Sequence, residues 1–200
     1  MKTLWIVLFA VAVAIVLPVG CGVSSYNKLV SLDQAVQSQW AQVENVYQRR
    51  LDLVPNLVAT VKGAAAFEKD TFTAVAEART RAAQATTAAP TAPADAAALQ
   101  RFQTAQDGLA SSLSKLMVVV ERYPDLHATQ NFRDLQAQLE GTENRIAVER
   151  MRFNEAAQAF NTARDTFPTT LFAGFFGARF QEKAYFHAAP GSETAPRVQF

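Results

Sequence analysis

Hydrophobic positions along the chain fall into two regimes. Residues 4–23 read LWIVLFAVAVAIVLPVGCGV, a continuous apolar run with no carboxylate or base, preceded by Met1, Lys2 and Thr3. A helix of that length just spans a bilayer. Its dense part, residues 4–17, followed by Pro18, Val19, Gly20 and Cys21, also has the form of a cleavable export signal. Pro18 is expected to break or end the helix. Beyond Val23 apolar residues recur every three or four positions, the period of an amphipathic helix. Leu29, Leu32, Val36, Trp40, Val43 and Tyr47 make the first stripe, and Val54, Leu57, Val58, Val61, Ala65, Phe72 and Val75 continue it. Pro55 stands between them without a backbone N–H, so a kink or restart is expected over residues 52–56, with Asp52 as its candidate cap.

The segment TTAAPTAPA at 86–94 holds two prolines and no large side chain, and reads as a connection. Asp95 is a candidate N-cap for the next stripe, Leu99, Phe102, Leu109, Leu113, Leu116 and Val120, which Pro124 terminates. Phe132, Leu135, Leu139, Ile146, Phe153, Ala157, Phe160 and Phe167 then keep spacings that suit near-parallel packing of long helices, as in a coiled coil. No alternating strand pattern competes. The pattern predicts an all-α fold: an elongated antiparallel helical bundle of three long helices plus a short C-terminal helix, four-helix-bundle-like, behind an N-terminal membrane segment. The expected boundaries are a signal or anchor segment at 1–23, a bundle over 24–180 and a flexible tail over 181–200. Within the bundle the expected helices are 24–86 (kinked near 55), 95–123, 127–167 and 171–177.

Composition narrows the function. With 19 basic against 18 acidic residues the net charge is +1, so no field draws nucleic acid to the chain. One cysteine excludes an internal disulfide and a cysteine-based zinc site. The two histidines, His127 and His187, lie far apart in sequence, and no Glu-x-x-His motif of a di-iron bundle occurs. Catalytic, metal-binding and cofactor-binding residues are therefore not expected. Cys21, placed after Gly20, is a candidate for lipidation of the kind seen in bacterial lipoproteins; the competing reading is an uncleaved anchor helix. In both, Lys2 keeps its end in the cytoplasm and the bundle is exported, to the periplasmic side in a two-membrane bacterium. Gly22 in place of aspartate gives no evident signal for retention at an inner membrane.

Two polar clusters remain. Arg49, Arg50, Asp52, Asn56 and Lys62 surround Pro55, and Glu143, Asn144 and Arg145 begin a charged stretch reaching Glu155. Each reads either as structural, satisfying backbone groups near the proline or forming a salt-bridged helix face, or as a docking notch for a partner protein.

The stretches YNKLVSLDQAV (26–36), QWAQVENVYQRRLDLVPNLVATVKG (39–63), ENRIAVERMRFNEAAQAFN (143–161), FPTTLFAGFFG (167–177) and KAYF (183–186) together resemble the LemA family. The resemblance implies an envelope-associated helical bundle, usually of four helices, carried by a membrane segment or lipoprotein signal. It supplies no substrate, cofactor or catalytic residue. The chain departs from the family pattern at Gly63, Ala64, Ala65, Ala66, Phe67 and Glu68, where relatives often read Gly-Tyr-Ala-x-His-Glu. Phe153 and Phe160 likewise stand where tyrosines are common. The expected function is a membrane-anchored, non-catalytic scaffold or adaptor for an envelope protein partner. The alternative is a purely structural bundle that self-associates through apolar surface near residues 171–176.

Overall fold

In the computed structural model the described residues are 2–64, 68–89, 95–174 and 179–187. They form α1 (Lys2–Ala64), α2 (Lys69–Ala88), α3 (Ala96–Val120), a single turn α4 (Pro124–His127), α5 (Gln130–Asp165) and a short α6 (Thr169–Ala173), with no strand among them. Four long helices run alternately up and down. Ser25, Trp40 and Arg50 of α1 meet Thr169, Phe153 and Glu143 in reverse order. Along α2 and α3, Glu68 pairs with Arg122 at one end while Thr86 meets Gln106 near the other. The all-α antiparallel bundle expected from the stripes is the architecture observed.

Several boundaries differ from the sequence expectation. The stretch expected as one kinked helix over 24–86 is two helices, and the break lies after Ala64 rather than at Pro55. Pro55 sits inside α1. It lacks the N–H that would bond the Leu51 carbonyl, and Arg79 Nε of α2 donates to that carbonyl instead, at 3.1 Å. Folding back into α2 also lets Leu51, Val54, Leu57 and Val61 pack against Phe72, Val75 and Ala78, a burial that one uninterrupted helix denies to both stripes. Asp52 is accordingly no cap; it accepts from Gln48 one turn earlier, at 2.8 Å. Pro18 too lies within α1, since loss of one backbone bond bends a long helix without necessarily ending it. At the other boundaries, α5 starts at Gln130 with Thr129 as its cap, and α6 occupies 169–173. Residues 175–178 and 188–200, including Phe175, Phe176 and most of the expected tail, lie outside the described residues.

A further difference concerns the tail itself. Over 179–187 the chain is not free: Phe180, Lys183 and Phe186 are buried. Asp95, by contrast, caps α3 as its position suggests, its carboxylate accepting from the Ala97 N–H at 2.8 Å.

Two hydrophobic cores are stacked along the bundle. The one farther from the apolar run joins α1 from Leu51 to α2, the second half of α3, Phe132 and Leu139. The nearer core joins Leu29, Val36, Trp40, Val43 and Tyr47 to Leu99, Phe102, Ile146, Phe153, Phe160, Phe180 and Phe186. Below it, residues 4–19 of α1 project beyond the other described helices, their large side chains exposed.

Candidate functional site

The two cores meet at a polar layer to which all four long helices contribute. Arg50, 2% exposed, reaches across from α1. Its Nη1 donates to both Glu143 carboxylate oxygens, at 3.0 and 3.2 Å, and its Nη2 to Gln106 Oε1 at 2.5 Å and the Gln106 carbonyl at 3.2 Å. Gln106 Nε2 passes the chain on to Thr86 Oγ1 at 3.0 Å and the Ala82 carbonyl at 3.4 Å. The guanidinium also lies 5.0 Å from the Tyr47 ring centroid. A buried charge held by a bidentate carboxylate and an amide is costly to leave unmade, so the layer fixes the axial register of the helices.

Arg50 and Glu143, members of two separate sequence clusters, are thus brought together inside the bundle. Their former neighbours are not. Arg49, Asp52, Asn56, Lys62, Asn144 and Arg145 are exposed on the outer faces of α1 and α5. Glu143 and Asn144 do share a shallow cleft of about 420 Å³ with Met117, Gln136, Leu139 and Glu140. Cys21 is exposed with a free thiol, beside a cleft of about 260 Å³ between α1 and the α5–α6 turn.

A second constellation draws Arg150 and Asn154, from the charged stretch of α5 that reaches Glu155, around the segment expected to be a tail. Residues 179–187 lie in a groove between α1, α3 and α5, held largely by side-chain amides that read their backbone. Asn161 Nδ2 donates to the Lys183 carbonyl at 2.9 Å while its Oδ1 accepts the Lys183 N–H at 2.8 Å. Asn154 does the same with Phe186, at 3.0 and 2.9 Å. Arg164 Nε donates to the Phe180 carbonyl, and Gln103 and Arg150 both donate to that of His187. The spacing explains the match. Seven helical residues from Asn154 to Asn161 rise about 10.5 Å, and three residues from Lys183 to Phe186 cover about 10 Å only when nearly extended.

Side chains lock the same segment. Lys183 Nζ is 2.7 Å from Asp33 Oδ1, both side chains 5% exposed, and 4.9 Å from the Phe160 ring centroid. Phe186 stacks on Trp40 at 6.1 Å and meets Phe153 edge-on at 5.5 Å, completing an aromatic cluster with Phe102 and Tyr47. Burial raises the Tyr47 phenol above its ordinary range, against the opposing fields of Arg150 and Arg50, so it stays neutral. Partial burial likewise raises the Glu44 carboxyl, offset in part by Trp40 one turn earlier.

In both constellations most of the polar groups pair with one another. Among the described residues no group of three histidine, cysteine, aspartate or glutamate side chains is placed to hold a metal ion. A signal for both constellations did exist in the stripes. Asp33 and Arg50 fill the gaps in the run Leu29, Val36, Trp40, Val43, Tyr47, Val54, where the four-three spacing demands an inward residue. Asn154 and Asn161 each follow a core phenylalanine, one heptad apart.

The LemA family model matches residues 39–200. Magnetosome protein MamQ of Magnetospirillum gryphiswaldense is 28% identical over 184 aligned residues, covering 84% of this chain and 67% of its own. Magnetosome proteins MamQ 2 and MamQ 1 of Paramagnetospirillum magneticum are each 27% identical with the same coverage. Neither the family nor these relatives is described by a reaction. The extent of the family match, across three of the four long helices and the C-terminal part of the first, shows that the chain belongs to the LemA family.

Proposed function

We propose that the protein is an exported, membrane-anchored bundle that serves as a non-catalytic scaffold or adaptor for other envelope proteins. The observation that carries this reading is the continuity of α1. One helix without a linker passes from an exposed apolar run into the core of the bundle. A bundle on a flexible tether samples all orientations; one built on its own anchor is held in a single relation to the membrane. Residues 24–64 carry it about 60 Å outward. The relatives are described as magnetosome proteins rather than by a chemical step, which favours an architectural part for this chain over an enzymatic one. The docking faces in this reading are the exposed residues Arg49, Asp52, Asn56 and Lys62 on α1 and Asn144 and Arg145 on α5. Arg50 and Glu143 support the backbone beneath them.

The test is photo-crosslinking in intact cells, from a reactive side chain placed in turn at positions 49, 56, 62 and 144 of the full chain. The reading expects a small, reproducible set of envelope proteins captured in a position-dependent manner. Adducts only between copies of the chain support the self-associating alternative instead, and no adduct at any position defeats the adaptor role. Labelling of an Arg49→Cys, Cys21→Ser chain by a membrane-impermeant thiol reagent reports the side of the membrane. The mass of the mature protein decides between a lipidated Cys21 and an intact Met1.

A further inference from the structure

The end of the bundle nearest the apolar run carries an exposed hydrophobic surface that the core does not use. After α5 the chain turns through Phe167 and Pro168 into α6, which lies against α1 where the apolar run stops. Phe172 packs over Gly22, its ring atoms 3.5 Å from where a Cβ would stand, and Thr169 Oγ1 meets the buried Ser25 Oγ at 3.4 Å. Gly22 and Ser25 bracket Val23, the last residue of the run. Those contacts fix α6 at the level where α1 passes from apolar to polar. Phe167 and Leu171 of this turn face outward, 74% and 58% exposed. Among the described residues beyond 23, the other large exposed apolar side chains are Val118, Val148 and Met151, scattered along α3 and α5.

Charge is arranged to match. About one to two turns farther along α1, Lys28 is exposed, and Arg179 lies over the rings of Tyr26 and Phe180, with Nη1 3.1 Å from Tyr26 Oη. Nearby, Asp165 is paired with Arg164 at 2.6 Å. An apolar tip beneath aromatic and basic side chains is the layering of an interfacial membrane contact, where hydrocarbon lies below and phosphate above.

We infer that Phe167 and Leu171 form a second membrane contact, a foot that sits in the headgroup–acyl boundary of the bilayer holding α1, with Lys28 and Arg179 directed at lipid phosphates. The occupant is lipid rather than a protein because the surface is continuous with the apolar run at the height where that run ends. The inference rests on the anchoring role proposed for α1. Two contacts, unlike one, fix the rotation of the bundle about the membrane normal as well as its height.

The experiment is spin-label depth measurement on the full Cys21→Ser chain in vesicles of phosphatidylcholine and phosphatidylglycerol, with single cysteines at 13, 148, 167 and 171. Collision with oxygen, which partitions into lipid, is compared with collision with a water-soluble nickel complex. The foot predicts that labels at 167 and 171 are shielded from nickel and accessible to oxygen, at a depth near the phosphates, while the label at 148 reads as aqueous. A deep reading at 13 with aqueous readings at 167 and 171 overturns the foot and leaves the anchor standing. An aqueous reading at 13 overturns the anchor and the foot with it. Shielding at 171 from both colliders, with dipolar broadening between labels, overturns the lipid assignment in favour of a second copy.

Discussion

Replacing Arg50 by methionine keeps most of the side-chain length and removes the charge from the polar layer, and its cost can be worked group by group. Gln106 is 1% exposed and loses the donor to its Oε1. A buried acceptor left without a partner costs about 1–3 kcal/mol. The Glu143 side chain is 41% exposed, so water replaces the guanidinium there and the lost ion pair is worth no more than about 1 kcal/mol. Against these stands a gain: Arg50 Nε is buried without a partner, and methionine beside Tyr47 recovers apolar contact, on the order of 1 kcal/mol. The net expectation for Arg50→Met is a loss of about 1–3 kcal/mol. Urea unfolding of the full chain in detergent micelles, followed by circular dichroism, reads this as a midpoint lowered by about 1 M, given typical denaturant slopes. Arg49→Met, on the exposed face next door, should stay within about 0.5 kcal/mol of the parent. Adding Gln106→Leu to Arg50→Met removes the orphaned acceptor, so the double variant should be more stable than the sum of its singles. Equal stability of the Arg49 and Arg50 variants, or strict additivity of the pair, would refute the reasoning.

Other consequences follow from the same contacts. Asn161→Leu strips both backbone partners from Lys183 and should lower stability by about 2–4 kcal/mol; amide exchange at Lys183 and Phe186 should accelerate by orders of magnitude while α2 amides remain protected, and unchanged exchange at Lys183 would count against the clamp. Pro55→Ala restores the N–H that the Leu51 carbonyl lacks, and should stabilise α1 by up to about 3 kcal/mol. The same change should shrink the roughly 1 kcal/mol cost of Arg79→Met, as a double-mutant cycle on unfolding midpoints would show. Glu44, whose carboxyl is raised by partial burial, favours the folded state most when protonated. Its contribution is fully present below the unfolded value of 4.5 and is lost as pH rises through the higher folded one. Glu44→Gln should therefore gain stability relative to the parent at neutral pH, with the difference shrinking as pH falls to 4, as paired melts at the two pH values would reveal.

Much of this was open to reading from the chain. Apolar stripes at three- and four-residue spacing establish amphipathic helices because only that period keeps side chains on one face, and the unbroken run at 4–23 can be satisfied only by a nonpolar surrounding. The cap at Asp95 and the stops near Pro124 and Pro168 are local chemistry, and local chemistry is legible. Arg50 and Asp33 show where legibility thins. Their places in the stripe mark them as inward, yet their partners Glu143, Gln106 and Lys183 lie tens of residues away and no spacing names them.

Pro55 shows a different limit. Its effect on its own backbone is fixed by covalent structure, but whether the helix breaks there depends on whether something else satisfies the Leu51 carbonyl, and Arg79 does so only after α2 has folded back. The same holds for residues 181–187. Their own composition suggests a tail, because nothing local gives them hydrogen bonds; Asn154 and Asn161 supply them from α5 once the groove exists. The sequence by itself determined which faces must be buried and that the bundle follows an apolar segment. The tertiary structure alone decided which polar groups meet across those faces, because a buried donor or acceptor is stable only with a partner, and the partner is chosen by the packing of helices.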